Sequence, residues 1–388
     1  MDIIDAFKEP VLLLPKRNDK DTFPELLTKI YDDFLALVSK IDQGSLVDKI
    51  TVNKQTLENL CQKFIQSSIT YYEGFPAKAY IEFEEGMSLI ERFLFPSTNV
   101  IIAKSLEPFY RGRTGSNIQF QKHEMFHMPF EKREFVTTQR FSVPGLPCLY
   151  LSNSIYVCWE ELRRPDINKM QVTRMRLENY RITFLDLSLT PQSLTEMLEV
   201  TTSEELNTER GKTKQEAVDD WDSTTLDYLM KWPLIAACSI KVKEPQGTFK
   251  PEYIFPQFLL QWVTQNKRID GIKYFSVEAH VSAKIDHSKL VNYALPVKTF
   301  GTKGLCASLV DSFSLTEPIS WEMLTTSNPE IFNHDNAKLK RVIHRLGQDS
   351  LLGQLELVKG KKVSYWHTVF GKMEMEMTEM DHEKIHLP

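Results

Sequence analysis

Residues 139–166 read QRFSVPGLPCLYLSNSIYVCWEELRRPD, and the fold turns on how this stretch is parsed. From Pro147 to Ser152 the side chains alternate in the manner of a strand. Cys148, Tyr150 and Ser152 point one way, Leu149 and Leu151 the other. Ser154 is suited to cap a helix that begins at Ile155 and runs to about Arg163. That helix ends before Pro165, because the residue ahead of a proline is pushed out of helical conformation.

Working outward, the pattern shifts twice. Residues 1–100 read as helical. Phe23-Pro24-Glu25 opens a helix with apolar positions at Leu26, Leu27, Ile30, Phe34, Leu37 and Val38, one face of a 3.6-residue period. Further helices fit Leu57 to Tyr72 and Ala77 to Leu94. Residues 101–300 alternate short strands with helices. Strands are expected at Ile182–Leu187, Ser239–Val242 and Ile272–Val277, and a helix at Pro256–Val263. Thr190–Lys231 reads as a polar surface insertion with two weak helices. Residues 301–388 form an extension packing on the core. It holds a helix at Asn336–Leu346, a hairpin over Leu355–Trp366 and, from Met373, a frayed tail. The fold class expected is α+β.

Composition removes several function classes. With 42% hydrophobic and 26% charged residues the chain is an ordinary globular one, and its net charge of -5 argues against a general nucleic-acid or anionic-membrane binder. Five cysteines, none in a CxxC pair, argue against a disulfide scaffold or a cysteine-rich zinc site. The expected compartment is a reducing cytoplasm. No apolar run approaches the ~20 residues that span a bilayer.

Two constellations compete for the chemistry. One is His123-Glu124-Met125-Phe126-His127, the HExxH string of zinc peptidases. On a helix its two imidazoles share a face and can bind Zn²⁺ beside a glutamate base, with Glu160 or Glu161 as a third ligand. Pro129 would disrupt such a helix, and the extended form would need glycine and histidine where Phe130 and Arg133 stand.

The other is spread along the middle of the chain: Tyr110-Arg111-Gly112-Arg113, Arg140-Phe141-Ser142, Leu149-Tyr150-Leu151, Glu160-Glu161, Gly271 to Ser276, and Val291-Asn292-Tyr293. Two arginines suit a diphosphate, because a guanidinium offers forked, permanently charged donors. A tyrosine on a polar strand face gives a wall for a stacked ring. A carboxylate can stabilise positive charge growing on a sugar. Tyr274 and Ser276 alternate onto one strand face and can line one cleft. Together these groups suit a dinucleotide cut at its glycosidic bond. The GxGxxG fingerprint of a Rossmann-type site is absent.

In order and spacing, YRxR, RFSxPG, LYL, a helical glutamate and GIxYxS resemble the RES-domain family, named for an arginine, a glutamate and a serine. The likeness covers about residues 101–300. It implies an ADP-ribosyltransferase-like core of two small sheets flanked by helices. The implied activity is that of an NAD-degrading toxin, cleaving the nicotinamide–ribose bond by phosphorolysis to ADP-ribose 1″-phosphate. NAD and inorganic phosphate would be substrates, no metal would be needed, and an antitoxin or regulatory protein would be the partner. Arg111 would be the first arginine, binding an NAD phosphate or the nicotinamide ribose, and Arg140 the second, holding phosphate; Tyr150 would be the pocket tyrosine beside the nicotinamide, Tyr274 would also bind NAD, and Ser276 would be the family serine, holding inorganic phosphate with an arginine. The glutamate is Glu160 or Glu161, with the family's spacing favouring Glu161. Gln139 and Ser152 replace a glycine and an alanine common in the family. Transfer to a protein or to water would share the same first half-reaction. From other classes, a zinc peptidase and a non-catalytic RES-like binding protein remain as alternatives.

Overall fold

The computed structural model describes residues 1–17, 21–95, 101–102, 108–115, 118–178, 182–201, 213–279, 286–327 and 352–385. It is a mixed α+β structure in two compact units. One comprises Met1–Val100, Gln139–Phe141 and Leu189–Trp262; the other comprises Ile101–Thr138, Ser142–Ser188 and Val263–Pro388. The helical unit therefore takes in residues 189–262, and the extension after residue 300 belongs with the sheet. This grouping differs from the segments 1–100, 101–300 and 301–388 expected from local pattern.

In the helical unit, α1 is Ile3–Phe7, α2 Phe23–Val38, α3 Val47–Tyr72, α4 Pro76–Leu89 and α5 Glu91–Leu94. Thr22 and Glu25 form a reciprocal capping box at the start of α2, and Pro24 fits the first turn, where no amide donor is needed. The apolar stripe of α2 is buried as its period requires. The stretch expected as a surface insertion instead supplies core. Tyr228 is fully buried and meets Phe7 edge to face, with ring centroids 6.2 Å apart, and Trp221 is buried as well. The Ser239–Val242 strand does not form: a helix continues from Lys214 to Cys238, leaving an isolated bridge between Arg17 and Lys241.

The other unit is built on a ten-stranded sheet. Its strands are β1 (Ile101–Ile102), β2 (Phe109–Arg113), β3 (Cys148–Ser152), β4 (Gln171–Leu177), β5 (Ile182–Leu187), β6 (Gly271–Phe275), β7 (Val291–Pro296), β8 (Phe313–Leu315), β9 (Ile319–Ser320) and β12 (Glu383–Lys384). The order is β1-β5-β6-β7-β3-β2-β4-β8-β12, with β9 beside β4. Among the described strands only β5 and β6 run parallel. Two halves meet at a single pair, Tyr110 opposite Ser152, so the two sheets expected are one sheet with a weak central seam. A separate hairpin joins β10 (Gln354–Val358) to β11 (Lys361–Ser364), with Gly360 taking the left-handed turn position at φ 81°.

Strand alternation sorts the residues onto two faces. Phe109, Leu149, Leu151, Met175, Tyr293 and Leu295 fill one core. Tyr110 and Val172 face a second core with α6 (Ile155–Glu161) and the C-terminal helix Val369–Thr378. The tail expected to fray is packed: Phe370, Met373, Met375 and Met377 are all buried. Asn336–Leu346 lies outside the described residues. No described helix is long and apolar enough to cross a membrane.

Candidate active site

The strand–helix unit at 148–161 forms as its residues dictate. Ser154 Oγ accepts the amide of Val157 at 3.2 Å and starts α6. Beyond the helix, Arg163 and Arg164 take positive φ of 63° and 56°, which folds the chain back. That reversal separates the two neighbouring glutamates. Glu160 is buried and forked onto Arg164, with Nε and Nη2 each 3.0 Å from a carboxylate oxygen. Glu161 is exposed, and its Oε1 accepts Ser276 Oγ and Asn292 Nδ2, both at 2.6 Å. Close packing sets the position of α6 on the sheet. A Cβ at Gly112 would lie 3.0 Å from the end of the Leu162 side chain and 2.6 Å from that of Met170, so a larger residue there would have to push both side chains aside.

Register explains the convergence on Glu161. Tyr274 stands opposite Asn292 across β6 and β7, and Asn292 stands opposite Ser152 across β7 and β3. Ser152 Oγ donates to Asn292 Oδ1 at 2.6 Å. A carboxylate only accepts, so the amide of Asn292 must turn its Nδ2 toward Glu161. Ser276 is fully buried, and its Oγ also accepts the Ala279 amide at 3.0 Å. In this arrangement Ser276 orients the glutamate rather than presenting a free donor to phosphate. Asn292, quoted in the sequence pattern without a role, is a working member of the network. The signal was one amide between Val291 and Tyr293 in an otherwise apolar strand; its partners depend on register and could not be read locally.

Arg111, Tyr150 and Tyr274 share this unit. Tyr150 and Tyr274 are half-buried and electrostatically coupled, and burial pushes the Tyr150 phenol well above its ordinary range. Arg111 Nη1 donates to the Tyr150 carbonyl at 2.8 Å. Its Nε is buried and has no hydrogen-bond partner among the described residues. Burial, and then Arg113, pull the guanidinium down to about 10. The other described groups that interact with it are Cys158, Cys148, Tyr150 and His127, none of them a carboxylate. A half-buried cation with no carboxylate among the described residues acting on it costs free energy until an anion arrives. Arg140, the second expected arginine, belongs to the helical unit. There its Nη1 donates to the carbonyls of Cys238 (3.2 Å) and Ile240 (2.9 Å), and its guanidinium lies 5.2 Å from the centroid of the Tyr253 ring.

The HExxH string does not make the helix its chemistry needs. Lys122–Met125 is a single 3-10 turn, and Phe126 is already extended at φ -97° and ψ -165°. Glu124 is spent capping that turn at Gln121. His127 is buried, with Nε2 accepting the Cys306 amide at 2.9 Å and Nδ1 against the Met128 carbonyl at 2.8 Å. Among the described residues no three His, Cys, Asp or Glu side chains gather in a metal-holding group.

The chain is 35% identical over 328 residues to "Putative toxin YopC" of Bacillus subtilis (strain 168), covering 82% of this chain and 70% of that one. The chain belongs to the YopC family, a toxin-like family. No family model matches the sequence. No solved structure matches it. The aligned length shared with YopC is too long to lie within either unit alone.

Proposed function

We propose that this protein is a RES-type enzyme that cleaves NAD between nicotinamide and ribose and passes the ADP-ribosyl group to inorganic phosphate. The observation that carries this reading is Glu161: a carboxylate held by two donors from separate strand ends. Arg111 in the same unit, on which no carboxylate among the described residues acts, supports it.

The chemistry follows from these groups. Arg111 would take a phosphate of the dinucleotide, which satisfies its buried charge. Tyr150 and Tyr274 would flank the nicotinamide ring. As the bond from C1 of the ribose to the ring nitrogen lengthens, its electron pair goes to nicotinamide, which leaves as a neutral molecule. The sugar gains oxocarbenium character, which Glu161, its carboxylate held still by Ser276 and Asn292, would stabilise through the ribose hydroxyls. A phosphate oxygen then bonds to C1 to give ADP-ribose 1″-phosphate. Consumption of NAD would account for toxicity of the kind named in the relative, and an inhibitory protein covering the site is the expected partner.

Incubating the purified protein with NAD, with and without phosphate, and separating the products by chromatography tests this reading. Phosphate-dependent formation of ADP-ribose 1″-phosphate supports it. Free ADP-ribose would assign the acceptor to water, ADP-ribosylated protein would assign it to a side chain, and unchanged NAD would overturn the enzyme reading.

A further inference from the structure

The C-terminal helix Val369–Thr378 packs against α6, the helix that ends in Glu161. Phe370 contacts the rings of Tyr156 and Trp159, with centroids 5.5 and 5.2 Å away. One turn farther on, Glu374 points into the same interface and is 4% exposed. Its Oε1 accepts the backbone amide of Ile155, the first residue of α6, at 2.7 Å. The same oxygen accepts the Tyr365 hydroxyl. A buried carboxylate is expensive unless its bonds are needed, and here one of them fixes the first turn of a short helix.

We propose that Glu374 is a positioning residue for Glu161: by holding the Ile155 amide it sets the seating of α6, and so makes the C-terminal segment part of the active apparatus. Over six residue steps at ~1.5 Å each, the two glutamates act on opposite ends of one rigid rod about 9 Å long. The titratable and charged groups facing Glu374 are Tyr365, Tyr110, Cys158 and Arg174, drawn from the preceding turn, β2, α6 and β4. Burial outweighs the helpful bonds and Arg174, and the carboxyl is raised to about 7. The ionised form makes the stronger bond to the amide. Positioning should therefore improve as pH rises through about 7.

The catalytic part of this inference rests on the NAD reading, so two measurements keep the two apart. Hydrogen exchange of the 155–161 amides is followed in the wild type, Glu374→Leu and Glu374→Gln, with 214–238 as an internal control. Glu374→Leu should speed exchange at 155–161 about tenfold, because a hydrogen bond to a charged group is lost. Glu374→Gln, which keeps an acceptor, should restore most of the protection. Unchanged exchange in Glu374→Leu, or equal loss in both variants, would overturn the positioning contact whether or not NAD is a substrate. Should Glu374→Leu fail to fold, Tyr365→Phe supplies the second variant, with the acid limb of the rate displaced upward. In the NAD assay the wild type should lose kcat, with KM steady, as pH falls through about 7, and Glu374→Gln should abolish that limb. An acid limb identical in the two proteins would contradict the inference.

Discussion

Ser276 and Glu161 stand 115 residues apart in sequence and share a 2.6 Å hydrogen bond. Asn292 closes on the same carboxylate oxygen at 2.6 Å. The bond joins the C-terminus of α6 to the segment just after β6, and it depends on the register that carries Tyr274, Asn292 and Ser152 across the sheet.

The two adjacent glutamates should respond differently to neutralisation. Glu161→Gln should reduce kcat by about 10²–10³, the usual consequence of removing an electrostatic stabiliser, without lowering the melting temperature. Glu160→Gln should leave kcat within a few fold and cost about 1 kcal/mol of stability by weakening the fork to Arg164. Steady-state kinetics and thermal melts on both variants check this.

Arg111 is expected to be an anion receptor that the folded protein carries at a cost. Phosphate, pyrophosphate or ADP-ribose should raise the melting temperature of the wild type and leave Arg111→Met unaffected. In the absence of anions Arg111→Met should be as stable as the wild type or more so, since it removes a desolvated charge with no carboxylate beside it. Lower stability together with an unchanged response to anions would place the anion elsewhere.

Asn292→Asp would set a second carboxylate against Glu161 in place of a donor. Like charges this close cannot both ionise readily, so activity should fall further in Asn292→Asp than in Asn292→Ala, by about tenfold. Comparing kcat for the two variants at several pH values tests it, with the Asp variant expected to suffer most at alkaline pH.

His127 should make the protein acid-sensitive. Burial holds its imidazole down at about 4. Between pH 6.5 and about 4 the unfolded chain takes up a proton that the folded chain refuses, so stability falls as pH drops through that window. The full effect is about 3 kcal/mol, from roughly 1.4 kcal/mol per unit. His127→Gln keeps an acceptor for the Cys306 amide and should flatten the dependence in melts recorded from pH 7 to pH 4.5.

Local pattern made much of the framework legible. Alternation around Tyr150 and the Ser154 cap place β3 and α6, and Phe23-Pro24-Glu25 with the apolar stripe behind it places α2. Where packing overrides local preference, the reading diverges. Pro233 sits inside a helix, with its carbonyl taken by the buried Tyr31 hydroxyl at 2.9 Å, and the chain beyond that helix does not become the expected strand. The run Met373-Glu374-Met375-Glu376-Met377 looks polar and mobile as a string, yet three methionines and one glutamate of it are buried. That Glu161 meets Ser276 and Asn292 while Glu160 turns to Arg164 rests on partners more than a hundred residues away, which spacing does not encode.

The most direct measurement is release of nicotinamide from NAD by the purified full-length protein, wild type beside Glu161→Gln, in phosphate buffer. The expected result is steady release by the wild type and at least a hundredfold slower release by the variant, consistent with about 3 kcal/mol of transition-state stabilisation. Equal rates in the two proteins, or no nicotinamide from either, would contradict an NAD-cleaving site centred on Glu161.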